Sequence, residues 1–143
     1  MLAETNMMVL VTPAASVPGQ WVAHCLNLDV VTQGESIQHA FMMAREAVEQ
    51  VVADDLAAGL DPLDRPSASE ECWTLVEAIM RGGRPLSTID DPRAVRAAVA
   101  FLQVSVPRDA LPEHARPLVV EMAPAPWQMA ALEELRNSQS LPC

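Results

Sequence analysis

The chain of 143 residues contains no lysine, and all nine of its basic residues are arginine. It also contains 19 acidic residues, which give a formal net charge of -10 at pH 7. The arginines are scattered among acidic residues, whereas neutralising the phosphates of a nucleic acid requires clustered Lys or Arg. We therefore expect no nucleic-acid partner. We ascribe the lack of lysine itself to a genome biased toward arginine codons.

Cysteines and long apolar runs are also scarce. Cys25, Cys72 and Cys143 lie far apart without C-x-x-C spacing, and their odd number favours free thiols in a reducing compartment. The apolar run over residues 7–11 is too short for the core of a signal peptide or for a membrane span, and Glu4 stands where a signal peptide needs positive charge. We expect a cytoplasmic protein that binds no membrane.

Sequence signatures of catalysis are missing. The chain has no G-x-S-x-G, G-x-x-x-x-G-K-[ST], G-x-G-x-x-G or H-E-x-x-H motif. His24, His39 and His114 fall on separate predicted elements, far from the short spacing of metal ligands, so we expect neither a metal nor a cofactor. We predict that the chain is not an enzyme.

Two groups of residues could suggest catalysis, but we expect neither to provide it. His24 and Cys25 are adjacent on a predicted strand, so their side chains point to opposite faces and cannot form a thiol–imidazole pair. Paired acids such as Asp54-Asp55 lie in or beside predicted helices, where acids normally face water or an N-terminus. The remaining catalytic hypothesis is a small hydrolase or nuclease that uses Asp29 or His24, at the end of the second predicted strand.

Half of the residues are hydrophobic, which is enough for a packed core. Short apolar runs separated by turn residues predict three antiparallel strands over residues 6–12, 21–28 and 30–33. The apolar spacing then changes to that of a helix, which we expect to begin after an N-cap at Ser36 and to end before Gly59.

The second half of the chain is less regular. A connector rich in Pro and Asp precedes a predicted helix that begins after Ser67, where Ser67 and Glu70 have capping-box spacing, and runs to about Arg81. Strands are predicted over residues 97–106 and 118–122, and a last helix over residues 127–136.

These elements predict an α+β fold. We expect a small, mainly antiparallel sheet in β-β-β-α-β order, covered by one long helix and accompanied by additional C-terminal helices. Residues 1–62 form the β-β-β-α unit, and residues 63–143 complete the same core, because a half of this size buries too little surface to be stable alone.

Methionine and tryptophan are abundant for a chain of this size. Met42 and Met43 lie partly off the apolar stripe of the long helix, and adaptable exposed Met is common on protein-binding surfaces. With Trp21 they form a predicted partner interface. The short strands with open edges also predict a homo-oligomer.

Within residues 21–52, the turn TQGES, formed by Thr32, Gln33, Gly34, Glu35 and Ser36, leads into a helix that contains several small residues. This segment resembles the HicB-like antitoxin family, which has a T-Q-G-[DE]-[ST] turn before a helix rich in small residues. Gly34 permits the backbone conformation that swings the strand into the helix, and Ser36 caps the helix. The chain departs from the family at three places: Asp29-Val30 replaces Pro-Gly, His39 replaces an acid, and Met43 replaces Asn.

The resemblance implies a truncated ribonuclease-H-like fold, with a further strand after the helix, for which residues 97–106 are the candidate. It also implies that the chain inhibits a small basic RNA-cleaving toxin by covering its active surface. Many family members carry a C-terminal DNA-binding module, but residues 67–143 contain no basic recognition helix or strand. The alternative is an orphan structural or regulatory homo-oligomer without a toxin partner.

Overall fold

Three strands and a 21-residue helix occupy the first 57 residues in the computed structural model. They are β1 (Leu2–Pro13), β2 (Trp21–Cys25), β3 (Val30–Gly34) and α1 (Ile37–Ala57). A 3-10 turn (Pro62–Asp64) precedes α2 (Glu70–Gly82), β4 (Arg84–Pro85), β5 (Ala97–Pro107), β6 (Leu118–Glu121) and β7 (Ala130–Leu132). The structure describes residues 2–85, 88–91, 94–107, 118–121 and 130–132, with the side chains of 6–62, 64–85, 88–91 and 94–104.

All the described strands join one antiparallel sheet in the order β3-β2-β1-β5-β7-β4, and β6 pairs with β5 beside this path. The longest pairing runs between β1 and β5, from Leu2 opposite Pro107 to Val11 opposite Ala98. The strand β5, which the sequence predicts over residues 97–106, therefore extends the sheet next to β1. The α+β class, with a long helix on an antiparallel sheet, is confirmed.

The two helices cover opposite faces of the sheet. Successive side chains of a strand point to opposite faces, so Val9 and Val11 pack toward α1 whereas Leu10 packs toward α2. The α1 core also contains Ala23, Cys25, Ile37, Ala40, Phe41, Ala44, Val48 and Val52. The α2 core contains Leu26, Cys72, Leu75, Val76, Ile79 and Val99. The prediction named only the cover from α1, and α2 provides the second layer.

The second half of the chain shares this core. Ile89 and Val95, from the segments that precede β5, are buried in the same cluster as α1. The main chain also links the two halves, because the Ala68 N–H donates a hydrogen bond to the Leu26 carbonyl at 2.8 Å. That the whole chain melts as one unit stays a prediction.

Three local predictions are corrected. The helix α2 begins after Ser69 instead of Ser67, because the hydrogen bond of Ala68 keeps the connector extended to that point. The strand β2 ends at Cys25, and the next four residues form the turn to β3. Ala130–Leu132 is a strand where a helix was predicted, since its pairing with β4 and β5 outweighs the helix propensity of Ala and Leu. The rest of that predicted helix lies outside the described residues.

Candidate protein-binding surface

The turn between β3 and α1 connects the two elements that carry the candidate binding surface. The Ser36 hydroxyl accepts a hydrogen bond from the His39 N–H at 3.0 Å, so Ser36 is the N-cap that the sequence predicts. The Glu35 N–H donates to His39 Nδ1, also at 3.0 Å. His39 thus reaches back to the main chain before the helix, much as the acid of a capping box does. The imidazole thus provides an acceptor for a main-chain N–H at the start of α1.

Gly34 is required for a different reason from the one expected. The described glycines with positive φ are Gly19 and Gly59, so Gly34 is not needed for a left-handed backbone. A Cβ at Gly34 would instead lie 2.4 Å from the Ala40 nitrogen and 2.6 Å from its Cα. Because these are main-chain atoms of α1, no side chain can move aside. Gly34 therefore allows α1 to lie directly on β3.

The two other residues of the predicted turn occupy opposite environments. The Gln33 side chain is exposed. The Thr32 hydroxyl is buried and has no hydrogen-bond partner. A buried polar group without a partner is rare and costs free energy. Thr32 is therefore favoured here for its branched β-carbon and not for its hydroxyl.

The outer face of α1 presents an exposed apolar side chain, with partly buried Arg45 and exposed Glu46 in the next turn of the helix. The Met42 side chain is 50% exposed. Glu46 and Glu49 follow it by one and two helical turns, and both are exposed. Farther along the same helix, exposed Asp54 accepts a hydrogen bond from Gln50 at 2.8 Å. We call Met42, Glu46 and Glu49 the α1 outer face.

The predicted interface of Trp21, Met42 and Met43 is not one continuous patch. Trp21 packs against the core between the sheet and α1, so it lies on the inner side of the helix. Met42 lies on the outer side, and Met43 is partly buried. Of the three residues, Met42 is the one most available to a partner.

In the part of the chain that the structure describes, β3 forms an unpaired edge of the sheet, next to α1. Among the strands that the structure describes, β3 pairs with β2 alone. The Val31 side chain is 57% exposed, and β3 contains no charged residue. An open, uncharged edge strand is a place where another strand can pair.

The two residues of the catalytic hypothesis do meet. His24 Nε2 lies 2.7 Å from Asp29 Oδ1. Asp29 has φ +55, the left-handed conformation that Asp tolerates in tight turns, and this conformation reverses the chain between β2 and β3. The sequence names both residues but not their contact, which depends on the form of the turn. A strand end followed by a turn Asp is the only sign of it in the sequence.

Other partners that such chemistry requires are not seen near this pair. Cys25 is on the opposite face of β2, as expected, and burial raises the pKa of its thiol to about 11, so it is protonated at neutral pH. Within the described ranges, no three His, Cys, Asp or Glu side chains converge closely enough to hold a metal ion. Two open depressions lie along α2, and neither is lined by His24 or Asp29.

One pair of residues was missed by the sequence analysis. Asp55 is only 6% exposed, and both its oxygens accept hydrogen bonds from Arg65, from Nε at 2.7 Å and from Nη2 at 3.0 Å. The prediction that paired acids face water is therefore wrong for Asp55. Its place three residues after Val52, on the apolar stripe of α1, could have revealed this. The hydrogen bond with Asp55 raises the pKa of the Arg65 guanidinium and fastens the connector to α1.

No family model, no curated protein and no solved structure matches this chain. In the part of the chain that the structure describes, no helix is both long and apolar enough to cross a membrane. What the surface binds must therefore be inferred from its own shape and charge.

Proposed function

We propose that the chain is a non-catalytic protein-binding module of the HicB-like antitoxin type, whose partner is a small basic protein such as an RNA-cleaving toxin. The observation that supports this most directly is the α1 outer face, where half-exposed Met42 stands beside exposed Glu46 and Glu49. A flexible apolar side chain with two acids farther along the same helix face suits a partner that has an apolar pocket and Arg or Lys to one side of it.

The charge of the whole chain supports the same partner. A formal net charge of -10 attracts a basic protein over distances of about a Debye length, ~8 Å at physiological salt. Association should therefore be fast at low salt and should slow as salt is added. Tight binding of duplex DNA at physiological ionic strength would contradict the proposal.

The test begins with co-expression of the chain and the reading frame next to its gene, with the small basic proteins of the native host as the wider set. For the partner recovered, we expect Met42→Ala to weaken binding at least about fivefold, as truncation of an interface anchor does. Met80 of α2 is the matched control, because it is 48% exposed on a different surface. Equal losses for Met42→Ala and Met80→Ala would refute the α1 outer face as the binding site.

A second candidate function rests on the contact between His24 and Asp29. A carboxylate 2.7 Å from an imidazole nitrogen orients the ring, which is a common arrangement in hydrolases and nucleases. The variants His24→Ala and Asp29→Asn test it, since Asn tolerates the left-handed backbone of Asp29. Hydrolytic or nuclease activity that either change abolishes without unfolding would establish this candidate over the binding module.

Self-association, expected from the open strand edges, stays a prediction for both the antitoxin and the orphan alternative. Sedimentation at micromolar concentration measures it. A single species of 15.5 kDa would show that the chain is a monomer and would contradict the expectation.

A further inference from the structure

Within the residues that the structure describes, the edge strand β3 carries neither the charges nor the proline by which sheets commonly protect their edges. Natural edge strands are commonly shielded by Lys, Pro, a bulge or a covering segment. Val30–Gly34 contains no charged residue and no proline, and its one described strand partner is β2, on the other edge. With Val31 well exposed, this edge is suited to pair with a strand from outside.

Acidic residues stand at both ends of this strand. Asp29 immediately precedes β3 and Glu35 immediately follows it, and both side chains are exposed; Asp29 Oδ1 contacts His24 Nε2 at 2.7 Å, which leaves Oδ2 for a cation from outside. The two acids are six positions apart, which corresponds to roughly 20 Å along an extended chain. The edge thus offers an uncharged stretch of main chain with a negative charge at each end.

We propose that the β3 edge binds an extended segment of a basic partner, in which uncharged residues lie between two Arg or Lys six positions apart. This inference rests on the proposed function, because it names the part of the partner that is recognised. Main-chain hydrogen bonds to β3 would provide the binding, and the cations opposite Asp29 and Glu35 would set its register.

A second copy of the chain fits the same edge less well. Antiparallel self-pairing over all five residues of β3 is centred on Thr32 and sets Asp29 of one copy opposite Glu35 of the other, at both ends of the pairing. Like charges directly opposite each other destabilise a strand pair. The charges at this edge therefore favour a basic strand over a second copy.

The probe is a synthetic peptide, Arg-Val-Thr-Val-Thr-Val-Arg, with blocked termini, titrated into the full chain while the backbone amides are followed by NMR. The comparison peptide has Glu in place of both Arg. We expect the Arg peptide to shift the amides of residues 30–34 and to bind more tightly than the Glu peptide, with a difference that shrinks as salt is added. Shifts centred on another element, or equal binding of the two peptides, would overturn the inference.

Two matched double variants distinguish the effect of charges at the ends of β3 from the effect of net charge alone. Asp29→Asn combined with Glu35→Gln removes two negative charges at the ends of β3, and Asn keeps the left-handed turn intact. Asp64→Asn combined with Glu71→Gln removes two charges from exposed positions elsewhere. We expect the first double variant to bind the Arg peptide roughly two- to fivefold more weakly per charge removed, and the second to bind it like the unaltered chain. Equal weakening by both would refute the inference.

The failure of this inference and the failure of the proposed function give different results. If Met42→Ala weakens binding of the natural partner and the double variant at Asp29 and Glu35 does not, the edge inference is wrong and the binding module stands. If no protein partner is recovered at all, the proposed function fails, and the peptide titration still shows whether the edge accepts a basic strand.

Discussion

The Cys25 thiol should make the stability of this protein fall steeply at alkaline pH. Cys25 is fully buried between β2 and α1, with its sulfur 4.0 Å from that of Met7. Burial raises its pKa from 9.0 to about 11, although hydrogen bonds from the Leu28 and Asn27 main chain favour the thiolate and offset part of this increase. There is therefore a range of pH in which the Cys25 thiol is protonated in the folded state and ionised in the unfolded state.

The size of the effect follows from the two pKa values. Below pH 9.0 the thiol is protonated in both states, and its full contribution to stability is present. As the pH rises from 9.0 to about 11, the unfolded chain binds fewer protons than the folded one, so the free energy of unfolding falls. One pKa unit corresponds to 1.36 kcal/mol, so the loss is about 1.4 kcal/mol near pH 10 and approaches about 2.7 kcal/mol above pH 11.

The composition leaves few groups other than cysteine that titrate in this pH range. The chain has no lysine and no tyrosine, the residues that normally titrate there, and arginine stays charged. The assay is equilibrium unfolding in denaturant under reducing conditions, followed by tryptophan fluorescence at several pH values. Cys25→Ala should lower the free energy of unfolding at every pH but remove most of its decrease between pH 9.0 and about 11. The control Cys72→Ala should show the same decrease over this range as the unaltered chain. If Cys25→Ala loses stability with pH as steeply as the unaltered chain, the assignment to Cys25 is wrong.

Three further predictions concern stability and use the same unfolding assay. Gly34→Ala should cost about 1–3 kcal/mol because its Cβ meets the main chain of α1, whereas Gly82→Ala, in open space, should be neutral or stabilising; equal effects would contradict the close approach. Asp55→Asn should cost about 1 kcal/mol by weakening the contact between the buried Asp55 carboxylate and the exposed Arg65 guanidinium, and its exposed neighbour Asp54→Asn less than about 0.5 kcal/mol. Thr32→Val should stabilise by roughly 1 kcal/mol, and a clear loss would show that its hydroxyl has a partner.

The elements predicted best are those whose signals are local. The helix α1 was placed nearly to the residue because its apolar spacing, the Ser36 cap and the stop at Gly59 all agree. The strand β5 was also found, since its alternating residues follow a clear break in the helical pattern. In each case the physical cause lies within a few residues of the element itself.

The features that were missed depend on residues far apart in sequence. Ala130–Leu132 is a strand only because β4 and β5 pair with it. The contact of Asp55 with Arg65 requires the connector to fold back on α1, and the contact of His24 with Asp29 requires a left-handed turn at an Asp. For the candidate surface, the sequence identified Met42 but grouped it with Trp21, because a residue list does not show on which side of a helix a neighbouring strand lies.

The α1 outer face and the β3 edge belong to two elements that are adjacent in sequence and packed against each other. The close approach at Gly34 and the cap at Ser36 join β3 to α1 with almost no intervening loop, and Glu35 lies in this junction. A partner that contacts both surfaces therefore needs little rearrangement of this chain, so most of its binding energy is retained. Backbone amides of β3 and α1 should accordingly change little in hydrogen-exchange protection apart from those at the newly paired edge, and broad ordering of α1 on binding would argue for a partner that remodels the fold.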